Sequence, residues 1–470
     1  MSKTSSVKQH CNASVINRRS LLKGVGGLLS LGGLTMADQL FGNLSPLAYA
    51  NTPHQPSEDD RHYIFCYFSG GWDILLGLDP RDPRSFGEEQ IPLTLIQPGF
   101  ERQDRTNIDV IHSNAGITFG PFIGELASLS ERVTVIRGMS MDTLTHEAGR
   151  RRFLTGKAPS GLQARGSSAD AWLAGQLGMS QPIPNLSIQV ESFNRDLPSY
   201  ATSLRVSNAN DLLRTLTPAE PSLPALVARQ LDQSLRDAAS CEAAQQSEFL
   251  RAAEGGRIKA IEMAQGGFAE RFRFNRPEHI AVREHYGFNN LNDSPELRGA
   301  IAVEAITSGM SRCVSVQVAG GLDTHFDNWE SDQGPNQERG FNVISRMARA
   351  LEAKEYYNTG RSWLDHTVLV GFSEFSRTPL LNASGGRDHA LTNACVLLGG
   401  KVRGGQVIGA SSDLGMQPQE VDLQTGQALT VPGSGEVVRP EHVLQTLYQE
   451  AGIDDRPDLR VQPLETLLNS

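Results

Sequence analysis

Short apolar runs rich in β-branched residues alternate with stretches of helical period along most of this chain, and this alternation narrows its fold more than any other feature. It is the pattern of a mostly parallel sheet covered by helices on both faces. Strands are predicted over 62–68, 133–137, 186–190, 312–318, 367–372 and 394–398, and helices over 121–130, 169–177, 296–309, 341–355 and 440–451. The class is therefore α/β. Between about 210 and 274 the strands stop, and a segment rich in Ala, Gln and Glu reads as one or two long amphipathic helices, a helical insertion on the sheet domain. Gly-rich text over 399–409 and 425–436 reads as loops or a small hairpin.

The first fifty residues do not belong to that pattern. Asn17-Arg18-Arg19-Ser20-Leu21-Leu22-Lys23 leads into a Gly/Leu-rich apolar segment and then Ala48-Tyr49-Ala50. These are the three parts of a cleavable export signal, and the paired arginines indicate the twin-arginine route. The twin-arginine translocase is then a partner during export, and the mature chain, 51–470, is expected in the periplasm or outside the cell. Without the leader the chain carries 38 basic and 52 acidic side chains, a net charge of −14. Nucleic acid is not an expected partner of so acidic a chain, and no remaining apolar run is long enough to make it an integral membrane protein. Four cysteines remain, Cys66, Cys241, Cys313 and Cys395, with no CxxC pair, so neither a disulfide framework nor a thiolate metal site is expected.

Ligands of open parallel sheets gather at the carboxyl ends of the strands, so the polar residues that follow each apolar run carry the functional information. The first run exits into "SGGWD", ending on Asp73. The second is followed by Thr143, Thr145 and His146 ahead of a helix with three consecutive arginines, 150–152, read as a solvated face. "AGGLDTHFDNW" brings Asp323, His325 and Asp327; "SEFSRTP" brings Glu374 and Arg377; "GGRDH" brings Arg387, Asp388 and His389. Taken singly, Asp73 also fits a turn cap, Thr145 a helix N-cap, Asp323-Thr-His-Phe-Asp an Asx turn, Glu374 a salt bridge and His389 a core hydrogen bond. Taken together, carboxylates and imidazoles recur at independent strand exits. They are the ligands suited to Zn²⁺, Mn²⁺ or Mg²⁺ where no thiolate is present.

The twin-arginine leader, "SGGWD", "LDTHFDN", "SEFSRTP", "GRDH" and "LLGGKVRGGQVIGAS", in this order and spacing, resemble the exported bacterial proteins of domain-of-unknown-function family 1501. That family is itself similar to the alkaline phosphatase and sulfatase superfamily, in which a parallel sheet between helices holds divalent ions beside a hydroxyl or modified-cysteine nucleophile. The resemblance implies an alkaline-phosphatase-like fold with one or two divalent ions (Zn, Mn, Mg or Ca) held by Asp73, Asp323, His325, Glu374, Asp388 and His389. It implies hydrolysis of a small anionic substrate, a phosphate or sulfate ester, through attack by Thr145 or by metal-bound water. His146 then serves as a ligand or base, and Arg377 or Arg387 donates hydrogen bonds to the oxyanion. The other reading is a non-catalytic periplasmic metal-binding or assembly protein that retains the fold.

Overall fold

Among the residues described by the computed structural model, eight strands form the central sheet: His62–Phe68 (β1), Val133–Ser140 (β2), Asn185–Ile188 (β3), Leu204–Val206 (β4), Cys313–Ala319 (β5), Thr367–Ser373 (β6), Thr392–Gly399 (β7) and Gln406–Ile408 (β8). The described residues are 56–469 other than 107, 162, 218–223, 248–249, 251–253, 256, 259–266 and 454–456, so the leader lies outside them. The strand order is β8-β2-β7-β6-β1-β5-β3-β4. Every pairing is parallel except the two made by β7, which runs against β6 and β2.

Every side chain of β1 is buried, because successive residues point to opposite faces and both faces are covered. Tyr63, Phe65 and Tyr67 join one core with Phe153 and Leu154 of α1 (His146–Thr155), Leu173 of α2 (Ala169–Leu177), and Leu444 and Tyr448 of a C-terminal helix, Pro440–Glu450. On the other face, α3 (Pro295–Thr307) and α4 (Gly334–Glu352) pack on β5. There the Phe68 ring lies 4.8 Å from that of Phe341. Fully burying an aromatic or large aliphatic side chain contributes about 1.5–3 kcal/mol, and this repeated burial holds the layers together. Cys66, Cys313 and Cys395 are free and buried in β1, β5 and β7, where burial pushes each thiol up and leaves it a small hydrophobe.

Several elements differ from the sequence reading. Gln406–Ile408 is a strand paired with β2, although it lies in text read as loop; its three residues sit between glycines and carry no period of their own. α4 begins at Gly334 rather than near 341, because Pro335 falls in the first turn, where a missing N–H costs nothing. The segment expected as a helix at 121–130 is a 3₁₀ stretch, Gly124–Arg132.

The chain divides into two compact units, one of residues 55–209 with 273–470, which carries the sheet, and one that includes 210–272. Described helices of the latter include Ala225–Ser240, Glu242–Gln246 and Phe268–Arg271, and within it Asp232 accepts from Arg236 at 2.8 Å and pairs with Arg257. No described helix is long and apolar enough to cross a membrane.

Candidate metal centre

The strand exits are level. Phe68 at the end of β1 is in register with Ala319 of β5 and Ser373 of β6, so the loops that follow leave the sheet together. Because β7 is antiparallel, its start comes to the same edge, with Thr392 opposite Ser140 of β2. His389, just before β7, therefore meets the segment that enters α1. Close backbone approach completes the arrangement: a Cβ on Gly70 would lie 2.7 Å from the Asp323 nitrogen, and one on Gly149 of α1 would lie 2.2 Å from the Glu374 carbonyl oxygen.

The centre forms around one carboxylate oxygen. Asp323 Oδ1 lies 3.4 Å from His146 Nε2, 3.0 Å from His325 Nε2 and 3.5 Å from His389 Nε2. His325 Nε2 and His389 Nε2 are 3.0 Å apart. Behind each ring, Nδ1 faces an acceptor: Glu374 Oε1 at 2.9 Å for His146, Asp388 Oδ1 at 2.9 Å for His325, and the Leu144 carbonyl at 2.6 Å for His389. A carbonyl only accepts, so His389 Nδ1 carries the proton, and the two carboxylates favour the same tautomer in the other rings. His325 Nε2 accepts from Arg377 at 3.4 Å, and the Nε2 lone pairs of His146 and His389 face other lone pairs and an anion. That remaining pair of lone pairs is stabilised by a proton or cation among it. Ligand atoms about 2.0–2.1 Å from a tetrahedral ion lie roughly 3.3 Å apart, close to the separations observed. His146, Asp323 and His389 offer atoms all within 4.8 Å of one another, and the donor set of imidazole nitrogen and carboxylate oxygen suits a divalent ion.

The charges around this oxygen are unusual for an exposed rim. Arg377, fully buried, donates to Asp323 Oδ1 at 2.7 Å and to the carbonyl of Gly71 at 3.1 Å, and also contacts the Gly70 carbonyl. Partial burial works to raise the Asp323 pKa but is outweighed by the Arg377 hydrogen bond and charge, with His146 and His325 adding to them, and the carboxyl is lowered to about 2. The hydrogen bond to Glu374 raises His146, whereas burial lowers His389. Glu374 is buried and also accepts from Gly70 N at 2.8 Å and from Ser373 at 2.9 Å, so it orients His146 from behind. Asp388, held by Asn382 at 3.2 Å, does the same for His325. Thr145 is exposed at the N-cap of α1, and its side chain makes no capping hydrogen bond.

Asp73 lies outside this group. It is buried and its Oδ2 accepts from Trp329 Nε1 at 2.9 Å and lies 3.0 Å from Arg387 Nε, while Oδ1 caps the turn at Leu75 N, 3.0 Å away. The Arg387 contact is an ion pair without the alignment of a hydrogen bond. Arg387 is fully buried over the Trp329 ring, 4.7 Å from its centroid, and bonds the Thr378 and Pro98 carbonyls, so its guanidinium serves this pair. The arginines 150–152 are not a solvated face either. Arg152 is buried and pairs with Asp142 and Glu441, at 3.0 and 2.6 Å, while Arg150 and Arg151 share Glu191. Asn382 and the Leu144 carbonyl, which fix two of the rings, had no local signal; nor did Phe375, whose ring centroid is 4.1 Å from that of His389.

The model of a family described as "Protein of unknown function (DUF1501)" matches residues 60–429. The chain belongs to that family. The match takes in every residue of the centre, from the Gly70 loop to His389. No curated protein matches the chain. Among solved structures it is similar to Ps i-CgsB, at 9% identity over 87% of this chain and 75% of that one, with a TM-score of 0.38. It is also similar to the PsFucS1 sulfatase from Pseudoalteromonas sp., at 11% identity over 87% and 72% of the two chains, with a TM-score of 0.33.

Proposed function

We propose that this member of the family is an exported, metal-dependent hydrolase of phosphate or sulfate esters, holding one divalent ion through His146, Asp323 and His389 with His325 as the neighbouring donor. The observation that carries this reading is the convergence of three Nε2 atoms on Asp323 Oδ1 while each Nδ1 is engaged by an acceptor. When bound, the ion stabilises negative charge on the ester oxygens and makes an oxygen nucleophile available near neutral pH. Arg377, its N–H groups engaged by the Gly70, Gly71 and Arg387 carbonyls, by Asp323 and by His325, holds Asp323 in place and lends its positive field to the tetrahedral oxyanion. Thr145 stands beside His146 at the N-terminus of α1, where the helix dipole favours an anion. Its hydroxyl, losing its proton, attacks the phosphorus or sulfur as the bond to the alcohol oxygen breaks, the alcohol leaves with a proton, and water then hydrolyses the Thr145 ester. Water attacks in its place where no covalent intermediate forms. Glu374 and Asp388 keep two of the rings in their orientation and tautomer.

The second reading, a periplasmic metal-binding or assembly protein, is favoured by one observation: the N–H groups of Arg377 are all engaged within the protein, Asp323 included at 2.7 Å, which leaves none to bond a substrate anion. Elemental analysis of the purified mature chain, followed by a panel of phosphomonoesters, phosphodiesters and sulfate esters with added Mn²⁺ or Zn²⁺, separates the two. The expected result is a stoichiometric ion lost in Asp323→Ala and His389→Ala, and turnover reduced at least about a thousandfold in Thr145→Ala. Metal retained with silence across the panel supports the second reading. A metal-free, folded protein whose stability ignores chelators removes both.

A further inference from the structure

A cleft of about 380 Å³ opens beside the centre, with Arg377 and His389 in its wall. Among the described residues, no other charged or imidazole side chain lines it. Its surface is apolar over Ile74, Leu144, Pro379, Leu391, Met416 and Pro418, with the Ala390 methyl, small hydroxyls and Gln417 making up the remaining side chains. Leu144 and Leu391 are 43% and 44% exposed, on a chain with far more acidic than basic side chains. Large apolar side chains left open together mark a surface that is covered in use, and apolar walls with a few convergent polar groups are the usual form of a small-molecule site.

The cleft is also tied to the chemistry. The Leu144 carbonyl holds His389 Nδ1 at 2.6 Å, so wall and imidazole keep a fixed relation. The opposite wall is pinned by Gly415 N donating to the Thr94 carbonyl at 2.7 Å and by Ser412 N donating to the Gln417 carbonyl at 2.8 Å. Within that wall Met416 is buried in the left-handed region at φ 51°, a conformation that a non-glycine residue keeps only where its surroundings impose it. Arg377 is the one cation among the described lining residues and its N–H groups are already engaged, so a charged sugar or a polyphosphate entering here finds no free cationic donor.

Resting on the ester-hydrolase reading, we propose that this cleft receives the alcohol part of the substrate, and that this part is an uncharged aromatic or branched aliphatic group. On hydrolysis the bond from the alcohol oxygen to phosphorus or sulfur breaks. Water supplies the hydroxyl that ends on phosphorus or sulfur and the proton that ends on the departing oxygen, and the neutral alcohol is left against the apolar wall.

Two measurements on the full mature chain supplied with Zn²⁺ or Mn²⁺ test this. The first compares kcat/KM for 2-naphthyl, methyl and glucose 6-esters of phosphate and sulfate; the second follows binding of 2-naphthol by its fluorescence. The half-exposed wall residue Leu391 is changed in Leu391→Asp and, as a milder variant, Leu391→Ser. The naphthyl ester is expected to be favoured at least about tenfold, the scale on which an apolar pocket discriminates by single methylenes. Both variants are expected to raise its KM and weaken naphthol binding by a similar factor, with the methyl ester changed less than about twofold. Esters turned over with the sugar preferred, or with both variants silent, overturn the inference and leave the hydrolase reading intact. Naphthol bound by the wild type and lost in Leu391→Asp, with no ester turned over, upholds the apolar site and overturns the hydrolase. No naphthol binding at all overturns the inference.

Discussion

At Asp323 a half-exposed carboxylate is held ionised by its neighbours, and this has a measurable pH signature. Its pKa in the folded chain, about 2, lies below the ordinary aspartate value of about 3.9. A depressed carboxyl contributes stability that is present above the unfolded pKa and is lost as pH falls through the folded one. In metal-free protein, the stability gap between wild type and Asp323→Asn is therefore expected to be widest above about pH 4 and to close as pH approaches 2. Solvent screening keeps the gap modest. Denaturant titrations at stepped pH measure it, and a gap that grows on acidification contradicts the assignment. Asp323 was legible from its position after an apolar run. The partners behind the rings were not: the Leu144 carbonyl has no side-chain identity to read, and Asp73, an equally prominent strand-exit acid, is taken up by Arg387, 314 positions away in the chain.

Between elements, the decisive contact is the first half of α1 against the exit of β6. Gly149 permits it, since a Cβ there would stand 2.2 Å from the Glu374 carbonyl oxygen, nearer than side-chain carbons approach backbone. At a free helical site Gly→Ala stabilises by about 1 kcal/mol. Here Gly149→Ala is expected to destabilise by about 1–3 kcal/mol, because the helix must shift or the strand exit must yield. Urea denaturation reads the sign directly, and a variant as stable as wild type shows that α1 does not pack this tightly. Helix α2 was predicted to the residue, at 169–177, whereas β8 could not be read. Its three residues gain a ladder from β2 and have no period that marks them beforehand.

For the whole chain, the proposed export by the twin-arginine route and the folding of the sheet domain make separate demands. Under that proposal the paired Arg18-Arg19 selects a route that carries folded chains, and an ion held by the centre is loaded before export. Replacing both arginines by lysine is expected to leave the protein in the cytoplasm with its leader uncleaved, whereas the wild type is recovered from the periplasmic or external fraction without it. Cell fractionation with mass measurement of the N-terminus decides this, and unchanged export of the Lys-Lys variant excludes the twin-arginine route. The fold class was legible because a strand buried on both faces needs an unbroken apolar run, and that local requirement is written residue by residue over His62–Phe68 and its counterparts. The chemistry at the sheet's edge was legible only as a supply of carboxylates and imidazoles. Which of them meet depends on strand order, on the reversed direction of β7 and on two close backbone approaches, all of them contacts between distant segments that no local periodicity encodes.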